Sequence, residues 1–111
     1  MAIHYLNGYR LMWMIVMFDL PIVTRRDRKE YRRFRHYLLD SGFSMLQYSV
    51  YLRLVSSKER VIRFEEKIAD QLPEYGKVQI ITITDKQYET IKGFYGKRRE
   101  KNEKNDQFQL F

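Results

Sequence analysis

The sequence predicts one α+β domain, an antiparallel sheet with helices on one face, in the order βαββαβ. Three observations carry this expectation. Apolar runs at Leu11–Phe18, Gly42–Val55 and Lys77–Thr84 have the length and alternation of strands. Two segments between them repeat apolar residues at helical spacing and are bounded by capping residues. The chain has 111 residues, 44% hydrophobic and 32% charged, which suits one modest core and excludes a disordered tail or a membrane-embedded bundle.

The first run, LMWMIVMF, is closed by Asp19 and Pro21, so it reads as a buried strand followed by an Asp-x-Pro turn. It has the length of a signal-peptide core, but it is too short to span a bilayer as a helix and meets a charge with no small-residue cleavage site. A cytoplasmic protein with no membrane partner is therefore expected, and residues 1–10 are set aside as an N-terminal extension.

Thr24 is a good helix N-cap with Asp27 three residues later, a weaker form of the capping box, and Gly42 supplies the stop. Tyr31, Phe34, Tyr37 and Leu38 gather on one helical face; Arg25, Arg28, Lys29, Arg32, Arg33, Arg35 and His36 spread over the other. GFSMLQYSVYLRLV reads as one long strand whose alternation changes phase between Leu46 and Tyr48, the mark of a β-bulge or of a break into two strands. Ser56 and Glu59 form a capping box for a second helix, with Val61, Phe64, Ile68 and Leu72 as its buried stripe and Pro73 as its end. Its exposed side mixes Arg60, Arg63 and Lys67 with Glu59, Glu66 and Asp70, so it is close to neutral and is not expected to contact phosphates. KVQIITIT is a third core strand, and Asp85 caps a short helix from Lys86 to Ile91.

Residues 11–96 thus form a ferredoxin-like domain with both helices on one sheet face. The other face needs a cover, and a second copy is the simplest one, so a homodimer through the sheet face is expected. Residues 97–111 read as a polar linker and a C-terminal edge strand in which Phe108, Leu110 and Phe111 would add to a partner's sheet.

The function classes narrow quickly. With no cysteine there is no disulfide, thiol nucleophile or thiolate metal site, and two histidines cannot build a three-histidine zinc site. Neither GxGxxG nor a P-loop occurs. His4 and His36 read as non-catalytic. The net charge of +7 favours a polyanionic partner. Seven Lys and Arg lie between Arg25 and Arg35 against Asp27 and Glu30. Arg25, Arg28, Lys29, Arg32, Arg33 and Arg35 are the expected nucleic-acid ligands, reaching phosphates without reading bases. Asp19, at the end of the first strand, is either an ordinary turn former or a ligand for a hard divalent cation. Tyr48 and Tyr51 suit either a stacking platform or a packed interface.

Taken in order, Phe18-Asp19-Leu20-Pro21, the Arg-rich helix with Tyr31, Arg32 and Phe34, then Gly42-Phe43, Gln47, Ser49-Val50-Tyr51 and Ile83-Thr84-Asp85-Lys86-Gln87 resemble the Cas2 family of CRISPR-associated proteins from about Leu11 to Tyr88. The FDLP turn and the tail are similar to those of type II systems. The resemblance implies a ferredoxin-like homodimer that bridges two dimers of the Cas1 integrase and binds the duplex body of incoming spacer DNA. It also implies an alternative, a magnesium-dependent endonuclease acting on RNA or DNA. In that alternative Asp19 of both protomers holds the metal at the dimer interface and carries catalysis. The basic helix suits the scaffold role, and the lack of an acidic cluster in the sequence weighs against the nuclease.

Overall fold

Strand β1 (Met12–Asp19) runs through the middle of the sheet because both of its faces are apolar. In the computed structural model, which describes residues 11–97, it pairs antiparallel with β3 (Val50–Val55) on one side and β4 (Lys77–Thr84) on the other. A short strand, β2 (Ser44–Gln47), lies outside β3, giving the order β2-β3-β1-β4. With helix α1 (Arg25–Asp40) after β1, α2 (Lys58–Asp70) after β3 and a single turn of helix, α3 (Asp85–Tyr88), after β4, this is the α+β, ferredoxin-like connectivity.

One face of the sheet is the core. Met12, Met14, Val16 and Phe18 from β1 join Tyr51 and Val55 from β3, and Phe34, Leu38, Val61 and Ile68 from the two helices. Phe18 organises the aromatic part, stacked on Tyr51 and edge-on to Tyr31 and Phe34.

Helix α1 begins as its sequence implies. The Asp27 amide donates to Thr24 Oγ1 at 2.9 Å, and the Thr24 amide donates back to Asp27 Oδ2 at 3.0 Å. It ends in a Schellman motif: Gly42 sits at φ 89°, its amide donates to the Leu39 carbonyl, and that of Phe43 donates to the Leu38 carbonyl. The last turn has no basic residue of its own. Arg53 from β3 fills that role by donating to the Ser41 carbonyl, with its guanidinium 4.7 Å from the centre of the Phe64 ring.

The run after Gly42 divides into two strands, as the order βαββαβ requires, with β2 and β3 joined at Tyr48-Ser49 and a register shift between Met45 and Gln47. Ser49 takes the left-handed φ of 62° at the reversal without the glycine or asparagine that usually announces it. Three sequence expectations change. The cap of α2 is Ser57, whose hydroxyl accepts from the Arg60 amide, so Ser56 lies outside the helix. Leu72 falls beyond the helix and is 48% exposed, so it is not part of the buried stripe. Thr84, not Asp85, caps α3, in a capping box closed by Gln87. That leaves Asp85 to accept from Trp13 Nε1 at 2.8 Å. Strand β4 has the expected bounds but lies at the sheet edge.

The second sheet face carries neither α1 nor α2. Across it Trp13 lies between Leu54 and Ile83, Ile15 between Leu52 and Ile81, and Met17 between Val50 and Gln79. Tyr88 stacks on Trp13 with ring centroids 4.2 Å apart. The same face ends in polar residues, with Asp19 opposite Lys77. The proposed partner-binding residues Phe108, Leu110 and Phe111, the extension at 1–10 and most of the 97–111 segment lie outside the described residues. Among the described residues no helix is long and apolar enough to cross a membrane.

Candidate functional site

Asp19 is exposed at the end of β1, and among the described residues its carboxylate has no hydrogen bond or ion pair. The chain on either side of it is nevertheless closely held. The amide of Phe18 donates to the Ser49 carbonyl at 3.0 Å, which ties the hairpin tip to the strand end. Gly76, at φ 106°, passes so close that a Cβ there would lie 2.6 Å from Leu20 Cδ2 and 2.9 Å from the Asp19 carbonyl oxygen. Arg28 donates from one guanidinium nitrogen to the carbonyls of Ile22 and Val23, fixing the loop that follows.

The hairpin tip also separates the two tyrosines of the expected stacking platform. Tyr51 is 1% exposed and belongs to the core, whereas Tyr48 is 75% exposed and lies over Tyr31 with centroids 6.2 Å apart. The Tyr31 hydroxyl is 2.8 Å from Ser49 Oγ, and burial raises its phenol above the ordinary value.

The six cations expected to reach phosphates fall into three groups. Arg25, Lys29 and Arg32 are exposed and, among the described residues, have no hydrogen bond or ion pair. Their spacing at i, i+4 and i+7 puts them on the outer face of α1, away from Phe34 and Leu38. Arg28 is exposed, but it holds the loop after Asp19. Arg33 and Arg35 turn inward. Arg33 binds Glu30 and both the side chain and carbonyl of Gln71, while Arg35 donates to the Tyr51 hydroxyl. Sequence reasoning gave no role to Arg26, whose side chain is 82% exposed and lies 3.7 Å from Glu74. His36 is exposed on the same helix, and His4 lies outside the described residues.

One chain offers a metal ion little by itself. Among the described residues no three His, Cys, Asp or Glu side chains come together to hold one. Magnesium, however, keeps several waters and is commonly bound through one or two carboxylates together with substrate phosphates. Asp19, exposed at the polar end of the second sheet face, supplies one such carboxylate per chain.

The fold and these surfaces define a ferredoxin-like α+β protein with a basic helix above the sheet and an acidic strand end. The family described as CRISPR associated protein Cas2 matches residues 12–91, and the chain belongs to that family. A protein of Paracidovorax avenae named CRISPR-associated endoribonuclease Cas2 is 50% identical over 107 residues, 96% of this chain and 99% of the relative. Proteins of the same name from Flavobacterium psychrophilum and Parvibaculum lavamentivorans are each 45% identical, over 111 and 101 residues, covering 97% and 90% of this chain and 96% and 100% of those relatives.

Proposed function

We propose that this chain is a cytoplasmic CRISPR adaptation subunit that forms a homodimer, binds the duplex body of incoming spacer DNA and bridges two dimers of the Cas1 integrase. The observation that carries the nucleic-acid half is the row of Arg25, Lys29 and Arg32 on the outer face of α1, unpaired among the described residues. A protein surface normally intersperses charges of both signs. Three unpaired cations on one helical face suit phosphates, and their contacts carry no base information. The sheet side away from α1 and α2, where Leu54 and Ile81 are exposed beside the buried Ile15 and Leu52, supports the dimer.

A second reading is favoured by the names of the relatives and by the exposure of Asp19. Here the dimer is an endonuclease in which the two Asp19 carboxylates hold magnesium. The bound metal would polarise the phosphodiester and lower the pKa of an attacking water. The chain's own part is to present each carboxylate on a strand end fixed by Ser49 and Gly76 and to hold the nucleic acid through α1.

Asp19→Asn separates the two. The amide fills the same turn and is a far poorer ligand for a hard cation. Under the scaffold reading, the variant keeps dimerisation, duplex binding and spacer acquisition. Magnesium-dependent cleavage by the wild type, lost together with acquisition in Asp19→Asn, would overturn that reading in favour of the nuclease.

A further inference from the structure

The exposed side of α2 is not an even mixture of charges. At about 100° per residue, Arg60, Arg63 and Lys67 fall within a sector about 60° wide, and Glu59, Glu66 and Asp70 occupy the neighbouring sector. The basic stripe shares its flank with Phe64 and Gln71. That flank faces α1, because Phe64 packs edge-on against Phe43 at the exit of α1 and Gln71 accepts from Arg33. Arg60, Arg63, Phe64 and Lys67 line one concavity of about 130 Å³. Beside it the half-buried guanidinium of Arg53, 4.7 Å from the Phe64 ring centre, adds a further positive charge.

The stripe sets like charges side by side. Arg60 with Arg63 at i, i+3 and Arg63 with Lys67 at i, i+4 are like-charge neighbours, which destabilise a helix by a few tenths of a kcal/mol per pair. Glu59 and Glu66 are within helical reach of Arg63, yet among the described residues no ion pair includes Arg60, Arg63 or Lys67. The cations are left facing solvent around a fixed aromatic floor. From Arg60 to Lys67 the helix rises about 10 Å, close to three steps of one B-DNA strand at about 3.4 Å each.

We propose that Arg60, Arg63 and Lys67 form a second phosphodiester-binding track, so that nucleic acid held along α1 also engages the inner flank of α2. This rests on the nucleic-acid reading of α1 and extends it to the second helix. The acidic sector beside the stripe gives the track an edge, since a backbone shifted outward would meet Glu59, Glu66 and Asp70.

The test compares three triple variants of the full chain, each first shown by circular dichroism to melt as the wild type does. They are Arg60→Ala/Arg63→Ala/Lys67→Ala, Arg25→Ala/Lys29→Ala/Arg32→Ala, and a charge control, Lys58→Ala/Lys86→Ala/Lys92→Ala. Affinity for a random-sequence duplex is read by fluorescence anisotropy over a range of salt concentrations. Each lost phosphate contact lowers the slope of log K against log salt by about 0.9. The α2 triple is expected to lower it by about 2 to 3 and the control to leave it unchanged. A wild-type slope in the α2 triple beside a flattened one in the α1 triple overturns the second track and leaves the α1 reading standing. Unchanged slopes in both overturn the two together. A control that flattens as much as the α2 triple assigns the effect to net charge and also overturns the proposal.

Discussion

Arg35 donates from Nε to the hydroxyl of Tyr51 at 2.7 Å, joining the cation-rich α1 to the most buried tyrosine of the sheet. Tyr51 stacks on Phe18, the residue before Asp19, so this bond lies behind the strand end. A buried phenol needs a hydrogen-bond partner, and Arg35 supplies it.

That pairing predicts opposite behaviour for two arginines a single turn apart. Tyr51→Phe should cost about 1 kcal/mol, the usual net worth of such a bond, because the half-buried Arg35 can turn to water. Arg35→Ala should cost more, since it leaves the Tyr51 hydroxyl buried and unpartnered, and it should leave the salt dependence of duplex binding near wild type. Arg32→Ala should do the reverse, with no measurable loss of stability and a flatter salt slope. Urea denaturation and anisotropy check both halves. An Arg35→Ala protein of wild-type stability with a flattened slope would show that Arg35 reaches phosphate.

Gly76→Ala should be among the most damaging single-methyl additions available. The position has φ 106°, and the new Cβ would meet both Leu20 Cδ2 and the Asp19 carbonyl oxygen inside 3 Å. Strain of this kind costs about 1–3 kcal/mol. A thermal melt should show a drop of several degrees, whereas Gly93→Ala, where a Cβ meets nothing within 4 Å, should melt as the wild type does.

The first turn of α1 makes stability depend on acid. The Thr24 amide, donating to Asp27, holds that carboxyl below its ordinary value of 3.8. A depressed folded-state pKa adds stability that is full above the unfolded value and lost as pH falls through the folded one. Melting temperatures taken from pH 7 downward should therefore show the wild type losing its advantage over Asp27→Asn below about pH 4. A constant gap between the two proteins would assign the effect to capping geometry alone.

The uncovered sheet face predicts the oligomeric state. Sedimentation of the wild type at micromolar concentration should give a dimer. Leu54→Glu and Ile81→Glu, at side chains 41% and 48% exposed on that face, should give folded monomers. A monomeric wild type would remove the dimer and the paired Asp19 with it.

Much of this architecture was legible because its signals are local. The capping box at Thr24 and Asp27, the glycine exit at Gly42 and the bounds of β4 each follow from residues within a few positions of one another. The change of phase at Leu46 to Tyr48 marked the division into β2 and β3, but the tight turn itself carried no signal, because a serine takes the positive φ where turn chemistry would place glycine or asparagine. The fates of Arg33 and Arg35 were hidden for a different reason. Their partners, Gln71 and Tyr51, are 38 and 16 residues away, and helical periodicity sorts faces without saying which flank a neighbouring element will meet. The stripe on α2 is hidden by charges that nearly cancel over the exposed face and separate only by angle around the helix axis.

Strand β4 ends the sheet, and among the described residues nothing pairs with its outer edge. Six of its eight residues, KVQIITIT, are β-branched and none is proline, with one charge, Lys77, at the very start. A segment of that composition along an open edge is a template for cross-β growth. Two copies meeting along such an edge could extend one sheet into the other, so what covers β4 bears on aggregation as much as on folding.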